Sequence, residues 1–178
     1  MTPEVQKVFH QKAKELDCPT YELDKEFSIR ENDKNFDFHY QYMTISNITL
    51  SMLGHHQRTN ASLAAMTAII LKSHFKNITK TTIKNSLENT VWAGRCELIR
   101  PNLMLDGAHN EDSVAKLVDV LKKDFSNRNI HILFAGLRRK PLTKMLEELS
   151  AFDLAVTSFN FYQAQALSDY PEKYKKSC

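Results

Sequence analysis

At 178 residues, 42% hydrophobic and 25% charged, the chain has an ordinary globular balance and enough length for one domain or two small ones. Its formal charge of +3 is mild, and the cations are scattered apart from Arg138–Lys140 and Lys173, Lys175 and Lys176, which argues against a nucleic-acid partner. Cys18, Cys96 and Cys178 lie far apart without Cys-x-x-Cys spacing, pointing to neither a disulfide framework nor a zinc site and fitting a cytoplasmic chain. Apolar runs such as Ala68–Leu71 are too short to span a bilayer, and no signal-peptide core opens the chain.

The first predicted element is an amphipathic helix over Glu4–Leu16, with Val5, Val8, Phe9, Ala13 and Leu16 on one face and Cys18-Pro19 closing it. Tyr21, Leu23 and Phe27 read as extended. Phe36, Phe38, Tyr40 and Tyr42 then alternate with Asp37, His39 and Gln41 in period two, a half-buried strand of sheet core. The polar run Arg30–Asn35 is the hairpin loop before it, and a further strand over Ile45–Leu53 ends at Gly54. Together these make an antiparallel element.

Gly54–Ala61 leads into a small apolar helix carrying Leu63, Ala64, Ala65, Ala68 and Ile69, followed by a short helix over Thr79–Leu87. Asn89–Arg95, with the only tryptophan, is the connection into a second unit, and the domain boundary is placed near Thr90. Beyond it come two short strands around Pro101 within Glu97–Leu105 and a helix from Asn110. A strand over Ile130–Ala135, a helix over Lys144–Leu149 and a strand over Leu154–Ser158 follow. Alternating strands and helices predict an α/β fold with a mostly parallel sheet. The last eight residues are polar and are expected to be loose.

The junction Leu105-Asp106-Gly107-Ala108-His109-Asn110 is the most informative run. Asn102–Leu105 reads as a buried strand, and Val114, Leu117, Val118, Leu121 and Phe125 lie at helical offsets after the turn. Asn110 suits an N-cap, with Glu111 and Asp112 in the first turn, where negative charge complements the helix dipole. Strand ends that open into helices are where open α/β sheets gather ligands. A carboxylate, an imidazole and an amide meet there.

Three signatures, Gly54-x-His56-Gln57-x-x-Asn60-Ala61, Trp92-x-Gly94-Arg95-x-Glu97 and Leu105–Asn110, occur in the order found in folylpolyglutamate synthase and bifunctional dihydrofolate synthase, the folate branch of the Mur ligase superfamily. The chain resembles that family over nearly its whole length. The resemblance implies residues 1–90 as the end of the central ATPase domain and 91–178 as a Rossmann-like glutamate ligase domain. It also implies ATP-dependent joining of L-glutamate to dihydropteroate or (poly)glutamyl folate through an acyl phosphate, in a cytoplasmic and monomeric enzyme. ATP and magnesium would be required, with closure excluding water.

Carried over residue by residue, Asn60 matches an asparagine that contacts the nucleotide base from the start of a helix, whereas residue preference alone makes it that helix's cap. Arg95 matches an arginine that contacts ATP, where its planar fork suits phosphate or ribose oxygen; otherwise it is a solvated charge. Asp106 matches an aspartate that contacts ATP, through ribose hydroxyls. His109 matches a histidine near the acyl phosphate and incoming glutamate, and the plain alternative is a turn histidine bonded to Asp106 or to backbone. His55 and His56 diverge on an extended segment and make no metal site, so His56-Gln57 reads as scaffold around Asn60. In Gly136–Pro141, Pro141 stands where the family often has an acidic residue after lysine, which leaves Lys140 a solvated basic residue.

The chain has four glycines and no Gly-x-x-x-x-Gly-Lys-Ser run to cradle a triphosphate. The family's magnesium ligands would lie upstream of the matched region, so none is assigned here. The expectation is a middle-to-late portion of a longer ligase, by itself inactive. The alternatives are a nucleotide-binding remnant of such a ligase or another Mur-type ligase.

Overall fold

The structure, a computed structural model, describes residues 2–138 and 142–175; Arg139, Lys140 and Pro141 fall outside them. The chain divides into two compact units, Met1–Ser51 with Gln57–Thr90, and Met52–His56 with Val91–Cys178. Met52–His56, placed in the first domain by sequence, therefore packs with the second unit. No helix among the described residues is long and apolar enough to cross a membrane.

The first unit starts with α1 (Pro3–Glu15), then the strands β1 (Phe27–Glu31), β2 (Phe36–Tyr40) and β3 (Met43–Ile48) in an antiparallel meander, β1-β2-β3. Helices α2 (His56–Leu71) and α3 (Lys80–Asn89) follow. Phe27, Phe36, Phe38, Ile45 and Ile48 pack in one cluster with Ala61, Ala65 and Met66 of α2 and Ile83 of α3. Alanines three to four residues apart let a helix backbone approach a sheet closely, so the aromatic rings fill the layer between. Ile45 and Ile48 would face opposite sides of a regular strand. A register slip resolves this: Phe38 opposes Ile45 while Phe36 opposes Ile48. Asn47 takes a φ of 56° and its N–H donates to Asp37 Oδ1 at 2.8 Å, so both isoleucines reach the core.

Three local expectations change here. The hairpin loop is Asn32–Asn35, because Arg30 and Glu31 continue β1. Tyr42 leaves the alternating stripe for a tight turn and is fully exposed, and the third strand stops at Ile48 rather than Leu53. Arg58 of α2 ties that hairpin loop down, donating to Glu31 Oε2 (3.1 Å), Asn32 O (2.7 Å) and Asp33 O (2.7 Å). Helix α1 forms as its period predicts, yet none of its residues is buried. Glu22 gathers Gln6, His10 and Lys25, and the hydrogen bonds from Lys25 and then His10 hold its carboxyl at about 2.

The second unit contains β4 (Glu97–Arg100), β5 (Leu103–Leu105), α4 (Glu111–Asp124), β6 (His131–Phe134), α5 (Leu142–Leu149) and β7 (Asp153–Val156), then two single 3-10 turns. Strands β6 and β7 pair in parallel across α5, while β4 and β5 form an antiparallel hairpin. Among the named strands of the described residues, β6 and β7 are the pair that runs parallel. Val114 and Val118 of α4, Met145, Leu146 and Leu149 of α5, and Phe134, Leu154 and Val156 of the strands make the core, with Tyr170 and Tyr174. Tyr174 corrects the reading of the last eight residues as loose, since its ring is buried in that core. The strand before the central turn is not buried either: Leu103 and Leu105 are about half exposed, at 49% and 52%. A cavity of about 330 Å³ lies beside it, lined by Leu103, Met104, Leu117, Leu121, Ile132 and Leu133.

Candidate functional site

Helix α4 begins where its sequence calls for it. Asn110 is extended (φ −145°), its side chain accepts from the Ser113 N–H at 2.9 Å, and the Ser113 hydroxyl accepts from the Asn110 N–H at 3.1 Å, closing a capping box. The same hydroxyl accepts from the His109 N–H at 3.1 Å. The first-turn acids are engaged, Asp112 with Lys116 at 2.6 Å and Glu111 with Lys144 at 3.0 Å. With those carboxylates in place, this helix start repels phosphate rather than cradling it.

The turn ahead of α4 is held by Asp106. Its Oδ1 accepts the Ala108 N–H at 2.7 Å, and its Oδ2 accepts the Cys96 N–H at 2.8 Å. Gly107 N–H donates to Gly94 O at 2.7 Å, and Gly94 N–H donates to Glu97 Oε2 at 2.7 Å. Gly94 has a φ of 70°, a backbone state that favours glycine, and Cys96 follows at 45°. The Trp92–Glu97 and Leu105–Asn110 signatures are thereby bonded to each other, through Asp106 to Cys96 and Gly107 to Gly94, and the joined turns carry Arg95, Asp106 and His109. Arg95 and His109 are exposed and Asp106 is half-buried. Burial, and then the negative charge of Asp106, pushes the Cys96 thiol up to about 12, so it stays protonated and unreactive.

His109 Nδ1 lies 2.9 Å from Gly107 O. A carbonyl only accepts, so Nδ1 carries a proton and donates it to Gly107 O. Of the two plain alternatives for this residue, the partner is backbone and not Asp106. His56, at the end of the Met52–His56 segment, packs against Gly54, where an added Cβ would sit 2.7 Å from its ring and 2.8 Å from Val120 of α4. Burial, and then the charge of Lys116, pushes its imidazole below 6.5, with Asp106, Asp112 and Asp119 opposing. His56 therefore belongs to the surroundings of α4, while Gln57, the other half of the expected scaffold, bonds Asn60.

Asn60 lies in the first unit. It is the fifth residue of α2 and not its cap; its Nδ2 donates to Gln57 Oε1 at 3.0 Å, and Gln57 is buried. Helix α2 starts one turn earlier than the apolar pattern implies, because His56–Thr59 carry too few apolar residues to declare a helix. Sequence reasoning gave no role to Glu97, Ser113 or Gly107 as turn-builders. The signal was present in the spacing Gly94-x-x-Glu97 and in a serine three residues after the asparagine cap.

No family model matches the chain. The dihydrofolate synthase/folylpolyglutamate synthase of Bacillus subtilis is 34% identical over 141 residues, 76% of this chain and 33% of the relative. Over that stretch the chain is similar to this synthase. It spans about a third of the length of the B. subtilis relative and of the Lacticaseibacillus casei folylpolyglutamate synthase. In fold it matches Mycobacterium tuberculosis folylpolyglutamate synthase, solved with ADP and AMPPCP, with a TM-score of 0.81 at 23% identity over 94% of this chain and 39% of that one. A folylpolyglutamate synthase complex with AMPPCP and folate matches with a TM-score of 0.75 at 25% identity, over 84% of this chain and 38% of that one. The α/β architecture with the β6–α5–β7 parallel unit is thus that of a folylpolyglutamate synthase.

Proposed function

We propose that the chain supplies part of the nucleotide and glutamate sites of an ATP-dependent ligase that joins L-glutamate to dihydropteroate or (poly)glutamyl folate. The observation that carries this reading is the bonding of the Trp92–Glu97 and Leu105–Asn110 signatures to each other, in joined turns that carry Arg95, Asp106 and His109. In this reading Asn60 contacts the base, its amide both donating and accepting. Arg95 meets phosphate or ribose oxygen as a permanent charge, and Asp106 uses its remaining lone pairs on ribose hydroxyls. That one similar synthase was solved with AMPPCP and folate, and another with ADP and AMPPCP, supports the use of a nucleotide.

The chemistry follows from the poor electrophilicity of a carboxylate. ATP transfers its γ-phosphoryl group to the folate carboxylate, giving an acyl phosphate and ADP. The glutamate amine then attacks the acyl carbon, the amide bond forms, and phosphate leaves with the electron pair while the amine loses a proton. His109, its ring held by Gly107 O at Nδ1, orients the incoming amine or takes that proton. Among the described residues no group of three or more His, Cys, Asp or Glu is placed to hold a metal ion, so no step is assigned to magnesium through these side chains.

A second reading, nucleotide binding without turnover by this chain alone, is favoured by the lack of any glycine-rich phosphate loop in the sequence. Calorimetric titration with AMPPCP, followed by assay of ADP release with glutamate and folate, separates the two. Binding that weakens in Asn60→Ala and Arg95→Ala is expected with no ligation product; affinity unchanged in both variants overturns the nucleotide site.

A further inference from the structure

Asp106 sits in the middle of a small network whose other members belong to the preceding turn. Of its two oxygens, one serves its own turn at Ala108 and the other crosses to the backbone N–H of Cys96, the residue after Arg95. Gly107, next to Asp106, donates to Gly94, the residue before Arg95. Arg95 is therefore bracketed on both sides by bonds from a single two-residue stretch of the β5–α4 turn. Its own N–H closes the turn onto Trp92 O at 3.2 Å, and Glu97 accepts from Gly94. Cys96 holds a left-handed φ of 45°, uncommon for a residue with a side chain, and its N–H points at the Asp106 carboxylate. A carboxylate accepting from a backbone amide is a strong, directional tie.

We propose that Asp106 is a positioning residue for Arg95: its carboxylate fixes the backbone of the Trp92–Glu97 turn, and with it the point and direction from which the arginine side chain leaves the chain. This duty is additional to any contact Asp106 makes with nucleotide, and its functional consequence rests on Arg95 meeting ATP as proposed above. Held backbone on both sides removes the main-chain part of the freedom that the turn would otherwise lose on binding.

The test uses the full chain. Trp92 is its only tryptophan, is 69% exposed, and lies on the turn itself. In Asp106→Ala, the fluorescence anisotropy of Trp92 is expected to fall and the Cys96 amide to exchange faster, while Cys96→Ala, which keeps the N–H, leaves the anisotropy unchanged. Asp106→Asn, which keeps one carbonyl oxygen and can serve at most one of the two amides, gives an intermediate result and covers the case in which the alanine variant does not fold. Unchanged anisotropy and unchanged exchange in both Asp106 variants overturn the proposal.

The affinity arm is a double-mutant cycle on AMPPCP binding. Arg95→Ala is expected to weaken binding about tenfold or more. If Asp106 acts through Arg95, Asp106→Ala costs less in the Arg95→Ala background than in the wild type, the remaining loss being that of its own ribose contact. Losses that multiply overturn the proposal. If Arg95→Ala leaves affinity unchanged, the assignment of Arg95 to the nucleotide fails instead, and the anisotropy and exchange results alone decide whether Asp106 positions the turn.

Discussion

The two antiparallel pieces of this chain are held by different forces. In the first unit, β1–β3 buries Phe36, Phe38 and Ile48 to 1% exposure or less beneath α2 and α3. In the second, the β4–β5 hairpin leaves Leu98, Ile99, Leu103 and Leu105 about half exposed and is tied at its open end by Asp106, Gly107 and Gly94. Side-chain burial stabilises the first sheet, and hydrogen bonds to backbone amides shape the second. A packed sheet resists change everywhere along its face. A tied turn is sensitive at a few atoms, and those atoms are where Arg95 and His109 are displayed.

Substitutions can break this contrast in order of expected size. Phe38→Ala should cost about 3–5 kcal/mol, since the ring is fully buried and packs at 5.8 Å from Phe27. The loss should appear in denaturant unfolding followed by circular dichroism. Trp92, which lies in the second unit, should report little of it; a Trp92 transition that shifts equally would mean that the units unfold together.

Tyr170→Phe comes next. The Tyr170 oxygen accepts the buried Gly136 N–H at 2.7 Å, so its loss leaves that donor unpaired, at about 1–3 kcal/mol. Here the Trp92 transition should move. A variant as stable as the parent would show that Gly136 finds another acceptor.

Capping allows a like-for-like comparison across the units. Thr79 of α3 and Asn110 of α4 close equivalent capping boxes, and either residue changed to alanine should cost about 1 kcal/mol. Only Asn110→Ala should also disturb the turn carrying His109, visible as faster exchange of the His109 amide. Equal effects on that amide from both variants would remove the distinction.

Just below pH 6.5 the second unit responds through His56. His56 has its pKa lowered from 6.5 in the folded state, so the unfolded chain binds more protons below that value. The contribution is complete above pH 6.5 and is lost as pH falls from there through the folded pKa. Unfolding midpoints measured across that range should decline less in His56→Gln than in the parent, and an identical decline would assign the pH dependence elsewhere. The smallest effect is expected for Leu103→Ala, within about 0.5 kcal/mol, because half of that side chain already faces water.

What could be read without coordinates was what depends on near neighbours. The alternation of Phe36, Phe38 and Tyr40 marked a strand, Asn110 and Thr79 marked helix starts, and Pro101 marked a hairpin turn. Period and cap are set within a few residues, so the chain displays them directly. Asn60 was legible as a residue of interest but not in its position, since the first turn of α2 is polar and takes its boundary from burial of Gln57. Tyr174 looked like part of a loose polar end because three lysines surround it, yet its ring enters a core built by α4, α5 and β7.

The sequence by itself determined the kind of chain this is: two α/β pieces, the order of their elements, and three signatures that resemble a folate-linked ligase. Tertiary structure alone decided how those signatures meet. Asp106 and Cys96 are ten residues apart, and nothing in their spacing says that a carboxylate will accept that amide, or that Met52–His56 will pack with α4. Such contacts depend on backbone groups, which every residue carries and no sequence pattern distinguishes, so only the fold selects which amide faces which oxygen.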